Sequence, residues 1–237
     1  MTGSWTLKRI WVKDKAMKKS SLSENQLSAF SLYVGSILSG ISFLIQLLLS
    51  SPPNKGEHIF TYYANQILLN SNVSMLSALF SFFGSIAIAF GIFSLNQFIQ
   101  KKSINPLMNL SVFLFVISSI GFVISRTHDL LIIWGSPSEF SKNMMVEFAL
   151  IFSFGLFYWL GIAGIAYCLK ENEFLNNNFL LALSIASIFN FLLIIYTIFN
   201  VDPYDGSTLV PLYTGFTIGN ILVIFFCFLS AKKLINS

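Results

Sequence analysis

The sequence predicts an all-α integral membrane bundle of six transmembrane helices. Three observations carry that reading. The chain is 237 residues long, with 55% hydrophobic and only 10% charged residues, and its mean hydropathy is +0.74. A soluble domain usually carries about 25% charged residues, so there is too little charge here to coat a wet surface. Six apolar runs, each free of Asp, Glu, Lys, Arg and His, lie near 29–50, 75–98, 106–125, 148–169, 178–199 and 209–231. Finally, the basic residues fall almost entirely into alternate connections, as they do when the runs cross a bilayer.

Each run is long enough to span, because about 20 helical residues cross a hydrocarbon core of ~30 Å. Inside lipid the backbone must satisfy its own hydrogen bonds, which makes these runs helices. The first is read as a retained span rather than a cleaved signal, since it ends in "LLLSSPPN" without a small-x-small site. The domain organisation that follows is a basic tail over 1–28, a six-span domain over 29–233 and a short tail over 234–237.

The tail holds Lys8, Arg9, Lys13, Lys15, Lys18 and Lys19. With six alternating spans, Lys101, Lys102, Lys170, Lys232 and Lys233 join them on one side, leaving Lys55, Arg126 and Lys142 on the other. The positive-inside rule then places both termini in the cytoplasm, in a plasma or inner membrane. Trp5, Leu7, Ile10 and Trp11 would let the tail rest on an anionic leaflet, but a partly disordered topogenic tail is the plainer reading. The isoelectric point of 9.0 is accounted for by this topology, so nucleic acid is not an expected partner and membrane lipid is. Cys168 and Cys227 fall in cytoplasmic halves of spans with no Cys-x-x-Cys spacing, and are expected as free thiols.

Two outer connections carry structure of their own. After the first span, Ile59, Tyr63 and Ile67 share a helical face with Phe60, Ala64 and Leu68 beside it, which predicts a short interfacial helix. Between the third and fourth spans, Ser136, Pro137 and Glu139 have the spacing of a capping box with proline at the first helical position. The fourth helix should therefore start near Pro137 and the third continue to Trp134, making an outward-protruding hairpin. Span 2 ("FSFFGSIAIAFGIFSLNQF") and span 4 ("FSFGLFYWLGIAGIAYCLK") echo each other, as a duplicated hairpin of spans 2/3 and 4/5 would produce, although shared apolar composition is the plainer explanation.

The six runs contain no ionisable side chain other than Tyr and Cys, which argues against a proton-coupled pump, a voltage sensor or an intramembrane haem or metal enzyme. No cofactor or metal is expected. Gln46, Asn96, Asn109, Asn190 and Asn220 read as interhelical hydrogen-bond formers, worth about 0.6–2 kcal/mol each. Small residues are patterned for close helix approach: Ser36 and Gly40, Gly215 and Gly219, and the stripe Ser77, Ser81, Ser85 and Ala89. The Gly215–Gly219 face is also a candidate for homo- or hetero-oligomer contact.

Both histidines, His58 and His128, fall on the outer side with Glu57, Asp129, Glu139, Glu147, Asp202 and Asp205. None shows a metal-ligand spacing, and "DPYDG" (Asp202 to Gly206) reads as a turn. "SRTHDLL" concentrates the candidate chemistry. Arg126 and Asp129 share a helical face and should pair, whereas His128 projects roughly 200° from Arg126. The expected role of Arg126 is to snorkel to the headgroups at the end of the third span. Arg126, Asp129, His128 and His58 are the candidate contacts for a ligand or lipid headgroup.

In layout the chain resembles a family of small prokaryotic six-span proteins known as a domain of unknown function. The shared features are a long outer connection after span 1, the basic link "QKKSINP" and "FSFGLF" opening a Gly-rich span 4. It departs at "NEFLNNN", where the layout calls for a proline-containing link. The resemblance implies the six-span fold and no activity. The first functional expectation is thus a non-enzymatic bundle or partner subunit. A transporter of a small neutral or lipid-like molecule comes second, and a membrane enzyme with an outer-face site third. The topology is checked by thiol labelling of intact cells: Lys142→Cys should react with an impermeant reagent and Lys101→Cys should not, and the reverse pattern would invert the assignment.

Overall fold

The computed structural model describes residues 23–49, 53, 55–101 and 103–236, and among these it has seven α-helices and no strand. They are α1 (Glu24–Leu49), α2 (Ile59–Leu69), α3 (Ser71–Gln100), α4 (Pro106–Trp134), α5 (Phe140–Glu171), α6 (Asn177–Asn200) and α7 (Val210–Ile235). All but α2 are long and apolar enough to cross a membrane. The protein is a multi-pass membrane protein. Most of the basic tail, including Trp5 and Trp11, lies outside the described residues.

Local chemistry sets the helix ends. The α1 helix starts inside the expected tail on a reciprocal capping box. Gln26 N–H donates to Ser23 Oγ (3.2 Å) while Ser23 N–H donates to Gln26 Oε1 (3.0 Å). Asn105 caps α4 by accepting from Met108 N–H at 3.1 Å, with Pro106 in the first turn. Asn176 caps α6 through Asn178 and Phe179 N–H. The box expected at Ser136 does not form. Pro137–Glu139 is instead a 3-10 turn in which Glu139 N–H donates to the Ser136 carbonyl (3.0 Å), and the Ser136 hydroxyl turns to Ser138. The α5 helix proper begins at Phe140.

The six long helices close a ring in chain order, each packed on its neighbours, with α7 returning to α1. Small residues set a close approach between α1 and α3. A Cβ on Gly35 would stand 2.8 Å from Ile88 N and 2.9 Å from Gly84 O. Farther along the same seam, Ser42 Oγ donates to the Ser77 carbonyl (2.9 Å) and Ser77 Oγ to the Ser42 carbonyl (3.2 Å). Gly215 and Gly219 face Asn190, Leu193 and Trp159 of the same chain. Both glycines are buried within the bundle.

The two halves of the ring differ. Toward the end where Glu24 meets Lys101 (3.1 Å), the interior is filled by Leu32, Ile92, Leu95, Ile99, Met108, Ile165, Leu169 and Leu234. We call this the basic end. At the far end, α2 lies across the ring, packed chiefly on α5 and α4. Its start is held by the Asp202–Gly206 turn: Ile59 N–H donates to Pro203 O (2.8 Å) and Gly56 N–H to Tyr204 O (2.9 Å). Ile59, Tyr63 and Ala64 then cover Ile132, Met144 and Leu209. Between this cap and the packed basic half the ring is hollow.

The α1–α3 contact gives a direct check. Gly35→Ala should lower unfolding stability in detergent by about 1–3 kcal/mol, because its Cβ meets backbone that cannot yield. Gly40→Ala, whose Cβ meets only the flexible end of Ile224 at 3.3 Å, should be close to neutral. Equal stability of the two variants would refute the close approach.

Candidate functional site: a charged cavity inside the ring

Helical periodicity builds the walls of the hollow. Phe115, Ser119, Phe122, Arg126 and Asp129 recur on one stripe of α4, and Met144, Glu147, Phe148, Ile151 and Phe152 on one stripe of α5. The α3 helix contributes Ser74, Ser77, Ser81 and Ser85. The cavity volume is about 340 Å³, within the roughly 300–1,000 Å³ of small-molecule sites. From Ser74 to Ile88 the lining follows α3 for roughly 21 Å, at ~1.5 Å per residue. One wall is therefore a ladder of hydroxyls. Facing it, Tyr158, Trp159, Tyr213 and Phe216 form an aromatic wall with Phe148 and Phe152.

The charged cluster lies on this cavity. Arg126 Nη1 donates to Glu147 Oε1 at 2.9 Å and lies 3.6 Å from Asp129 Oδ2. Gln46 of α1 closes the group: with its amide oxygen turned to the guanidinium, that oxygen stands 3.1 and 3.3 Å from Nη1 and Nη2. Three helices thus meet at one side chain. The Arg126 side chain is 19% exposed, and those of Asp129 and Glu147 are 7% and 3% exposed. Counted as ionised groups, the cluster holds one positive and two negative charges. Glu147 Oε2 is buried without a hydrogen-bond donor.

The structure corrects the role expected for Arg126. The pairing with Asp129 forms, as the i,i+3 spacing requires, but the guanidinium points into the bundle toward Glu147 and not out to headgroups. Just beyond the charge-free runs, the long helices carry ionisable side chains on their interior stripes, at Arg126, Asp129 and Glu147. Glu147 immediately precedes Phe148, the first residue of the fourth apolar run, so the run alone places it among the outer acids. The signal was available: once α5 is extended back, Glu147 falls on the apolar stripe with Met144, Phe148 and Ile151. A charge on an interior stripe marks a candidate functional site in a membrane protein.

The two histidines do not join the cluster. His128 is half-buried beside Asp129 but is not part of the cavity lining. His58 precedes α2, with Nδ1 3.1 Å from Thr61 Oγ1 and its ring 5.2 Å from that of Tyr204. Among the described residues, no group of three His, Cys, Asp or Glu side chains is placed to hold a metal ion. The Asp202–Gly206 segment is a structural turn. Asp205 Oδ1 accepts from Ser207 N–H at 3.0 Å, and the Ser207 hydrogen bonds hold its carboxyl below the ordinary carboxylate range. Burial raises the Tyr63 phenol above its ordinary value, with a hydrogen bond to Tyr213 opposing the shift.

The polar residues of the spans divide between packing and lining. Asn96 Nδ2 donates to Asn109 Oδ1 (2.8 Å), tying α3 to α4 at the basic end. Asn190 packs against the α7 glycines. Gln46 and Asn220 line the cavity. Cys168 and Cys227 are free and buried.

Fold and site together define a multi-pass helical membrane protein with a charged internal cavity. Comparison with protein-family models, curated proteins and solved structures finds no match to this chain.

Removing Arg126 leaves two buried carboxylates facing each other, and breaking such a group costs about 3–5 kcal/mol. Arg126→Met should therefore destabilise the protein by that order in detergent unfolding. Arg126→Met with Glu147→Met should recover part of the loss, since one of the two uncompensated carboxylates goes too and only Asp129 is left unpaired. If the double variant loses the sum of the two single losses, the pair is not coupled.

Proposed function

We propose that this protein binds a small amphiphilic molecule in its central cavity and acts as a transporter or carrier for it, rather than serving only as a structural bundle or partner subunit. The observation that carries this is the placement of the Arg126, Asp129 and Glu147 cluster on the wall of an open internal volume. Burying charge stabilises a bundle less than apolar packing of the same volume, so a scaffold has no use for three charges around a hollow. The basic half shows that this sequence can fill its interior completely. The far half is left hollow, with hydroxyls along one wall and aromatic rings along the other. That combination suits a molecule with an apolar body and a few polar groups.

The charge distribution supports a plasma- or inner-membrane protein with its basic end in the cytoplasm. In that orientation the cavity belongs to the outer half of the bundle, α2 lies at the outer interface, and the packed basic half is the closed inner gate. Transport then needs a second conformation in which the inner half opens. An outer-face enzyme finds less support, because His58 and His128 stand apart from the cavity lining.

Access from outside tests this reading. Ser81→Cys, in a background with Cys168 and Cys227 replaced by serine, should react with an impermeant thiol reagent applied to the outer face of intact cells. Ile99→Cys, in the packed half, should stay unreactive. Protection of Ser81→Cys as complete as that of Ile99→Cys would refute an outward-accessible cavity.

A further inference from the structure

The central cavity has an apolar neighbour. Between α1 and α7, on the surface that faces lipid, a second hollow of about 390 Å³ is bordered by Ile37, Ile41 and Leu44 on one side and by Ile221, Phe225 and Phe228 on the other. Phe43, Leu47, Thr217 and Ile224 line both spaces. At this seam only one layer of side chains separates the charged cavity from the bilayer. That layer holds no charged residue, and Leu47 is already 43% exposed. The barrier at this seam is made of side chains, so opening it requires no backbone hydrogen bond to break.

We infer that α1 and α7 form a lateral portal through which a membrane amphiphile enters, its polar head at the Arg126 cluster and its hydrocarbon chain in the groove between Ile41 and Phe225. This deepens the proposed function and rests on the cavity being a binding site. The groove's continuity with the cavity and its mainly apolar border, interrupted only by Ser36 and Thr217, identify the occupant as hydrocarbon, and its lipid-facing position identifies the source as the membrane. A soluble amine or sugar would use the cavity and leave the groove without a role.

The cluster restricts the head. It sets two carboxylates against one guanidinium, so a head with net negative charge would add a third negative charge to a single cation. A head that donates N–H bonds, above all an ammonium group, complements this pair of carboxylates, and aromatic rings such as Tyr213 are suitable neighbours for it. The ligand class is therefore an amphiphile with an ammonium-bearing head and no net negative charge, as in an aminophospholipid or a long-chain amine.

Trp159 reports on this directly. The chain has four tryptophans, and Trp159 is 2% exposed on the cavity wall, its ring turned toward Gly219 inside the bundle. With Trp5, Trp11 and Trp134 replaced by Phe, the protein is reconstituted in phosphatidylcholine vesicles containing phosphatidylethanolamine brominated along its acyl chain. The expected result is quenching of Trp159 severalfold stronger than with brominated phosphatidylglycerol at the same mole fraction. Thr217→Phe and, separately, Ile224→Phe should each abolish the difference while the protein still elutes as a single folded species. Long-chain alkylammonium added to the vesicles should relieve the quenching, and a short soluble amine should not. Equal quenching by both lipids, or quenching that survives both portal variants, reports lipid around the bundle and overturns the inference. Absent quenching together with reactive Ser81→Cys defeats the portal and leaves the cavity reading standing. Absent quenching together with protected Ser81→Cys defeats both.

Discussion

The contact between Arg126 and Glu147 is the constraint around which the far half of the molecule is organised. A guanidinium within a helical bundle must be matched in charge and in hydrogen bonds, because a buried unpaired ion costs several kcal/mol. The match comes from three helices at once: Asp129 on its own helix, Glu147 on α5 and Gln46 on α1. This ties together elements that do not all adjoin in the ring. Side chains that hold a charge network cannot also fill space as leucine or isoleucine does, and the volume beside them stays open.

The serines of α3 play two parts along one stripe. Ser77 reaches across to Ser42 and fixes the α1–α3 seam by reciprocal bonds to backbone carbonyls. Ser81 and Ser85, one and two turns deeper, line the cavity, where a larger side chain would fill it. Below Ile88 the stripe turns to Ile92, Leu95 and Ile99, and the interior becomes solid. The change from serine to branched aliphatic residues along a single helix thus marks the floor of the cavity.

Much of this was legible in the sequence, and for identifiable reasons. Lipid forces backbone groups to pair within their own segment, so run length alone specifies six helices. Helix geometry alone separates His128 from Arg126 and pairs Arg126 with Asp129. The partnership of Arg126 with Glu147 and Gln46 was not legible, because it depends on how three remote segments approach one another. Cutting the spans at their charges also hid it, since that rule treats Glu147 as the edge of a helix when it belongs to an interior stripe. Gly215 and Gly219 show the same limit: the spacing announces a close approach and does not say whether the neighbour is Asn190 of this chain or another molecule.

A packed basic half, a hollow charged half and a thin seam between α1 and α7 are the features on which the proposed uptake of an amphiphile from the bilayer rests. The most direct measurement is a density map of the protein in nanodiscs of phosphatidylethanolamine and phosphatidylcholine. The account requires elongated density running from the Arg126 cluster, past Thr217 and Ile224, into the groove between α1 and α7. A cavity closed by side-chain packing, with Arg126 turned outward to the headgroups, would contradict it.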